Sequence, residues 1–277
     1  MTTPAHRPVG DLLRDWRQRR HLSQLALAAE ADVSARHVSF LETGRARPSR
    51  EMLLRLAEQL DIPLRDRNAL LVAGGYAPIY PERGLDDPAL QAARQAVDLV
   101  LAGHEPYPAL AVDRHWTLVA ANRVVGPLLV GVQADLLQPP VNVLRISLHP
   151  HGLAPRIANY AQWRAHLLAR LRSQVETTAD PTLAALLDEL AGYPAPGAGA
   201  TEPRRNRNRN PTRDLYDAGV VIPFHLRTDH GILAFFTTTT IFGTPVDVTL
   251  SELAIELFFP ADPATAATLR RIAGNQA

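Results

Sequence analysis

Leu22 to Ser49 reads LSQLALAAEADVSARHVSFLETGRARPS, and the reading of this stretch decides the fold of the first part of the chain. Ser23 is placed to cap a helix, because its side-chain oxygen can accept from a free N–H of the first turn. Leu25, Ala28 and Ala29 follow at helical spacing, and Ala31-Asp32-Val33 breaks the pattern. Ser34 is a second cap, Val38 and Leu41 give the next helix an apolar stripe, and Gly44 ends it. Two short helices joined by a tight turn, the second with an exposed basic N-terminus, make a helix-turn-helix.

Working outward, Val9 to Arg20 reads as a preceding helix with Leu12, Leu13 and Trp16 on its apolar face and Arg14, Arg17, Arg19 and Arg20 on its polar one. Pro48-Ser49 opens a fourth helix with Leu53, Leu54, Leu56 and Leu60 inside. Ile62-Pro63 opens a fifth, Leu64 to Ala73, ended by Gly74-Gly75. Val38 and Leu41 must face the core of this all-α five-helix unit. Arg36, Phe40 and Thr43 then share the opposite face, one turn apart.

This region, roughly Val9 to Ala77, resembles the phage repressor/Cro-like (XRE) family of DNA-binding domains. The likeness is carried by Leu22-Ser23-Gln24, Ala28, Val33-Ser34, Leu41-Glu42-Thr43-Gly44-Arg45 and Pro48-Ser49. Leu25-Ala26-Leu27 departs from the acidic residues usual there. The resemblance implies that Gln24 meets a phosphate at a helix N-terminus. It implies that the third helix, Ser34 to Thr43, enters the major groove with Ala35, Arg36 and His37 near base edges. Arg36 is then the first choice for a guanine contact and Phe40 for a thymine methyl. The plainer reading is that Arg36 and His37 touch phosphate only. Arg45 and Arg47 form a basic loop suited to phosphates. By family position Arg17 pairs with Glu42; otherwise both are solvated charges.

Composition bounds the rest. The 277 residues suggest two domains, with ordinary apolar content and a net charge of +1. The first 75 residues hold 12 Arg against 9 acids, and every basic residue of the chain is Arg. Arginine forks onto guanine or phosphate. There is no cysteine, which excludes disulfides and thiolate metal sites and fits a reducing cytoplasm. No apolar run reaches membrane-spanning length, and the polar start argues against a signal peptide. No nucleophile elbow, phosphate-binding glycine loop or paired metal motif points to an enzyme, and no cofactor is expected. His149-Pro150-His151 invites a metal reading, but spacing fixes no third ligand.

The domain expectation is 1–77 for DNA binding, 78–88 as a Pro- and Gly-bearing linker, and 89–277 as a second domain. Ala89 to Ala102 reads as a helix with Leu90, Ala93, Val97, Val100 and Leu101 on one side, suited to packing or to a dimer seam. From Ala109 the period becomes two: Leu110 and Val112 alternate, Asp113-Arg114-His115 turns, and Thr117 to Ala121 returns. Asn122 then caps a helix to about Val130. Pro155 to Val175 and Pro181 to Ala191 read as amphipathic helices. The Arg204 to Asn210 run is either an anion-binding segment or a solvated loop. Ile222, Phe224 and Leu226 begin a meander, with Ile232 to Ile241 returning, Phe242-Gly243-Thr244 turning, and Leu253, Ile255, Leu257 and Phe259 alternating around Glu256. A helix from Pro263 to Ile272 closes the chain.

This second half is an antiparallel sheet covered by helices. It resembles the MmyB-like, PAS-like ligand-binding domain of transcription regulators, through Val112-Asp113, Trp116, Ala120-Ala121-Asn122, Asn142-Val143-Leu144-Arg145, Trp163 and Phe258-Phe259-Pro260-Ala261-Asp262. The resemblance implies an apolar, fatty-acid-like effector. Val112, Leu118, Trp163, Leu167, Phe224, Phe236 and Ile255 are the candidate contacts. The expectation is a regulator that binds a pseudo-palindromic operator in double-stranded DNA as a homodimer. The alternative is a second domain used only for dimerisation or for a protein partner. A deep cavity would favour the first and a filled core the second.

Overall fold

The computed structural model describes residues 7–196, 222–243 and 245–274. Its contacts divide into two compact units, Met1–Asp86 with Gly243–Ser251, and Asp87–Phe242 with Glu252–Ala277.

The first unit holds five helices, α1 (Val9–Arg19), α2 (Gln24–Glu30), α3 (Ala35–Glu42), α4 (Arg50–Gln59) and α5 (Leu64–Ala73). Serine begins three of them: Ser23 accepts from Ala26 N, Ser34 from His37 N and Ser49 from Met52 N. Gly44, at φ +70°, turns the chain out of α3 where a side chain would strain the backbone. Leu13, Trp16, Leu27, Val38, Leu41, Leu53, Leu56, Leu60 and Leu70 fill the core. The stripe of α2 differs from the sequence reading. Leu27 and Ala28 are buried, whereas Leu25 is 71% exposed. Helical spacing from Leu25 found Ala28 but missed Leu27, in a seven-residue helix made almost wholly of Leu and Ala.

The stretch read as a linker is laid down firmly at its start. Tyr76 Oη donates to Pro48 O, and the Asn68 side chain receives Ile79 N and Tyr80 N while donating to Tyr80 O. Residues up to Asp86 belong to the first unit. So does a piece of chain from far downstream, which contains the short helix α11 (Val248–Ser251).

The second unit is built on one five-stranded antiparallel sheet of order β2-β1-β5-β4-β3, with β1 (Ala109–Val112), β2 (Leu118–Ala121), β3 (Phe224–Thr228), β4 (Gly231–Ile241) and β5 (Ala254–Pro260). The helices are α6 (Gln91–Gly103), α7 (Val125–Leu128), α8 (Val143–Leu148), α9 (Tyr160–Thr178), α10 (Pro181–Ala191) and α12 (Pro263–Gly274). This is the α+β class expected from the change of period.

Several boundaries differ for identifiable reasons. Asn122 does not cap a helix. It is buried, accepts from Ala109 N and donates to Leu101 O and Tyr107 O, so it pins the end of α6 to the sheet. The helix after it is only α7. Helix α9 starts later than Pro155, because Asn159 spends its side chain on Pro223 O and His225 N. Ile157 bridges to Leu226 instead of joining the helix. The connection between β4 and β5, where the sequence marks a turn at Phe242-Gly243-Thr244, carries α11; Thr244 lies outside the described residues. The Arg204 to Asn210 run lies outside the described residues.

Candidate functional site

In the first unit the organising side chain is Glu42, at the end of α3 and almost fully buried. Arg17 of α1 forks onto it, Nε to Oε1 at 2.6 Å and Nη2 to Oε2 at 2.9 Å. Gln24 of α2 donates to Oε2 at 2.8 Å, and Arg14 donates to the Glu42 carbonyl at 3.2 Å. One carboxylate thus ties three helices together. Burial pushes its pKa up, but the hydrogen bonds of Arg17 and Gln24 and the two guanidinium charges outweigh that and hold it below the ordinary value. The backbones are equally close. A Cβ on Gly10 would meet Leu41 O at 2.5 Å and Glu42 O at 2.7 Å, so only glycine lets α1 approach the end of α3.

This knot fixes which face of α3 points outward. Val38 and Leu41 are buried, whereas Ser34, Arg36 and Thr43 are exposed and Phe40 is half-buried. Arg36 Cζ lies 5.1 Å from the Phe40 ring centroid and Arg45 Cζ 5.9 Å, so two cations flank one aromatic ring. Ala35 and His37 sit beside Arg36 in the first turn of α3, with His37 N taken by the Ser34 cap. Thr43 Oγ1 donates back to Ser39 O at 2.7 Å. Gln24 turns its amide nitrogen to Glu42. The Arg47 guanidinium rests against Gly75. Arg14, which the sequence reading left on a polar helix face, belongs to the knot.

In the second unit, a cavity of about 120 Å³ lies against the sheet. Its walls include Leu110, Leu118, Trp163, Leu167, Phe224 and Phe258. Of the candidate contacts, Leu118, Trp163, Leu167 and Phe224 meet there. Val112, Phe236 and Ile255 do not line it. Val112 is packed in the adjoining core. Phe236 stacks on Phe259 at 5.1 Å, and register pairs Phe236 with Phe259 and Thr240 with Ile255. Since side chains alternate across a sheet, the lining set Phe235, Thr237, Glu256 and Phe258 puts Phe236 and Ile255 on the other face. On β5 the apolar alternation that includes Ile255, Leu257 and Phe259 was the face turned away.

The cavity wall carries one ion pair, Arg170 Nη2 to Glu256 Oε1 at 2.7 Å and Nη1 to Oε2 at 3.2 Å. Thr239 Oγ1 donates to Glu256 at 3.0 Å and accepts from Arg170 at 2.8 Å. The Arg170 guanidinium lies 4.6 Å over the Trp116 ring, and Trp116 Nε1 donates to Gln174. His166, one turn before Arg170, has its pKa lowered by burial and then by the Arg170 charge. Sequence reasoning missed Arg170 and Glu256. A signal was present, because Arg170 shares the α9 stripe with Trp163 and Leu167, and Glu256 interrupts an apolar strand.

His149 and His151 stand with ring centroids 5.5 Å apart, and His149 meets the Tyr193 ring edge-on at 5.0 Å. Tyr193 is bonded to Glu189, and burial followed by that carboxylate pushes its pKa up to about 12. Among the described residues, no group of three or more His, Cys, Asp or Glu side chains is placed to hold a metal ion. No described helix is long and apolar enough to cross a membrane.

A helix-turn-helix unit and a separate α+β unit with an apolar cavity define a DNA-binding transcription regulator with a ligand-binding domain. The chain belongs to the family of MmyB-like transcription regulators: residues 93–272, well over half its length, match the model of the MmyB-like transcription regulator ligand binding domain. Residues 13–66 match a helix-turn-helix model. No curated protein matches the chain.

Proposed function

We propose that this regulator binds a pseudo-palindromic operator as a homodimer, places α3 in successive major grooves, and changes its affinity when an apolar, fatty-acid-like effector fills the cavity. The observation that carries the reading is the cavity. It has room for a ring-sized apolar group, the scale at which apolar voids take up hydrocarbon guests, and a longer acyl chain enters by displacing part of its wall. Arg170 at its wall offers a cation to a carboxylate headgroup. A second domain used only for contact with protein has no need of such a void. On the DNA side, Arg36 has no acidic partner among the described residues beside its cation–ring stack, and it stands at the end of α3 from which this motif reads bases. Exposed Leu99 and Val100 on α6 support a seam between two copies. Ala35 and His37 stand beside Arg36 near the base edges, Phe40 and Thr43 share its face with Phe40 toward a thymine methyl, and Gln24, Ser34, Arg45 and Arg47 serve as backbone contacts.

Native mass spectrometry of the full chain, before and after solvent extraction and with laurate added back, tests the effector. A near-stoichiometric apolar adduct that extraction removes and laurate restores is the expected result. A bare chain that ignores laurate refutes it.

A further inference from the structure

We propose that Asp247–Ser251, the segment that carries α11, transmits the state of the cavity to the DNA-binding unit. The proposal rests on the effector reading for the identity of the signal, but its geometry is independent of that. The segment is held in the first unit by more than a passing loop requires. Asp247 is buried and takes Arg83 Nη1 at 3.1 Å. Its other oxygen accepts from Thr249 N at 2.9 Å, while Thr249 Oγ1 donates to Arg83 O at 2.6 Å. Val248 is fully buried, and its N–H donates to Pro81 O at 2.8 Å. The segment packs on α5, the helix that leads into the Tyr76–Arg83 strip.

The same segment is bound covalently to the cavity strands. Strand β4 ends at Ile241 and β5 begins at Ala254, and the two remain paired up to that last step, Ile241 to Ala254. Thr237 and Thr239 lie on β4, and Glu256 and Phe258 on β5. A group larger than the void must displace part of its wall, and that wall includes Thr237 of β4 and Glu256 and Phe258 of β5. Displacement there moves the two strands whose ends hold the segment. A packed element anchored by a buried carboxylate does not deform continuously, so it passes such a shift on as a change between discrete arrangements.

Hydrogen exchange of the full chain tests this without needing DNA or effector. The probe is the Val248 amide, in Glu256→Gln and Phe258→Leu, two separate changes to the cavity wall. At least one variant changes its exchange rate about fivefold or more, the lower end of ordinary coupling. The amides of Leu53 to Ala57 in α4 stay as they were. Unchanged Val248 exchange in both variants overturns the proposal. Adding laurate to the wild-type chain separates the two readings. If laurate fails to bind while the wall variants still move Val248, the effector class is refuted and the transmission stands. If laurate binds and Val248 ignores both ligand and variants, the transmission falls.

Discussion

Glu42 and Glu256 are both buried carboxylates gripped by an arginine fork, and they serve opposite ends. Around Glu42 every neighbour is spent: Arg17, Gln24 and Arg14 converge from two helices, and the backbone at Gly10 closes in to contact distance. Both carboxylate oxygens are taken, and the product is a fixed α3. Glu256 has a comparable set of partners in Arg170 and Thr239, but one side of the pair opens on apolar void. A satisfied pair beside empty space can be remade with a guest. The contrast teaches that a buried ion pair signals rigidity only when its surroundings are full.

Breaking the first knot gives the largest effect. Glu42→Ala leaves the Arg17 guanidinium buried without its acceptor, which should cost about 3–5 kcal/mol in a urea unfolding curve of the first unit. Gly10→Ala forces its Cβ into two carbonyl oxygens of α3, and the loss should be about 1–3 kcal/mol, as for other overpacked contacts. A stability loss below that range would mean the helices are free to separate.

Filling the void sharpens the other side of the comparison. Leu167→Phe puts extra atoms into existing space, so stability should change by less than about 1.5 kcal/mol. Laurate binding by native mass spectrometry should be lost. Smaller still is Arg36→Ala, which removes no buried contact. It should leave stability alone and cost about 1–3 kcal/mol of discrimination at one base pair in a competition assay. A uniform loss over all sequences would assign Arg36 to phosphate.

The two units should also part company in acid. The lowered pKa of Glu42 gives stability that is complete above its ordinary value of 4.5 and disappears as pH falls through the lower folded value. His166 is held neutral in the fold by burial and Arg170, so the unfolded chain takes up a proton first as pH falls below 6.5. His149, lowered by burial and His151, acts the same way. The second unit should therefore begin to lose stability between pH 6.5 and 5, before the Glu42 contribution is touched. Unfolding curves across that range, followed by tryptophan fluorescence, check the order.

The first unit was legible because its signals are local. Ser23, Ser34 and Ser49 cap helices from one turn away, and Gly44 stops one by itself, so spacing suffices. The Leu25 stripe failed because α2 has too little polarity to mark its own face. In the second unit the strands could be read, but the side that meets the cavity could not. Ile255 and Phe259 are as apolar as Phe258, and choosing between them requires the pairing of β5 with β1 and β4. Asn122 was misread for the same reason, since its partners Leu101 and Tyr107 lie across the sheet edge. Arg170 and Glu256 sit 86 residues apart and become a pair only in three dimensions.

The most direct test is the affinity of the full chain for an operator selected from random DNA, measured with and without laurate at fixed salt. A selected sequence should emerge, saturating laurate should shift its Kd about fivefold or more, and Leu167→Phe should abolish the shift while keeping the DNA affinity. A Kd that stays the same with laurate demonstrably bound would contradict the proposed regulation.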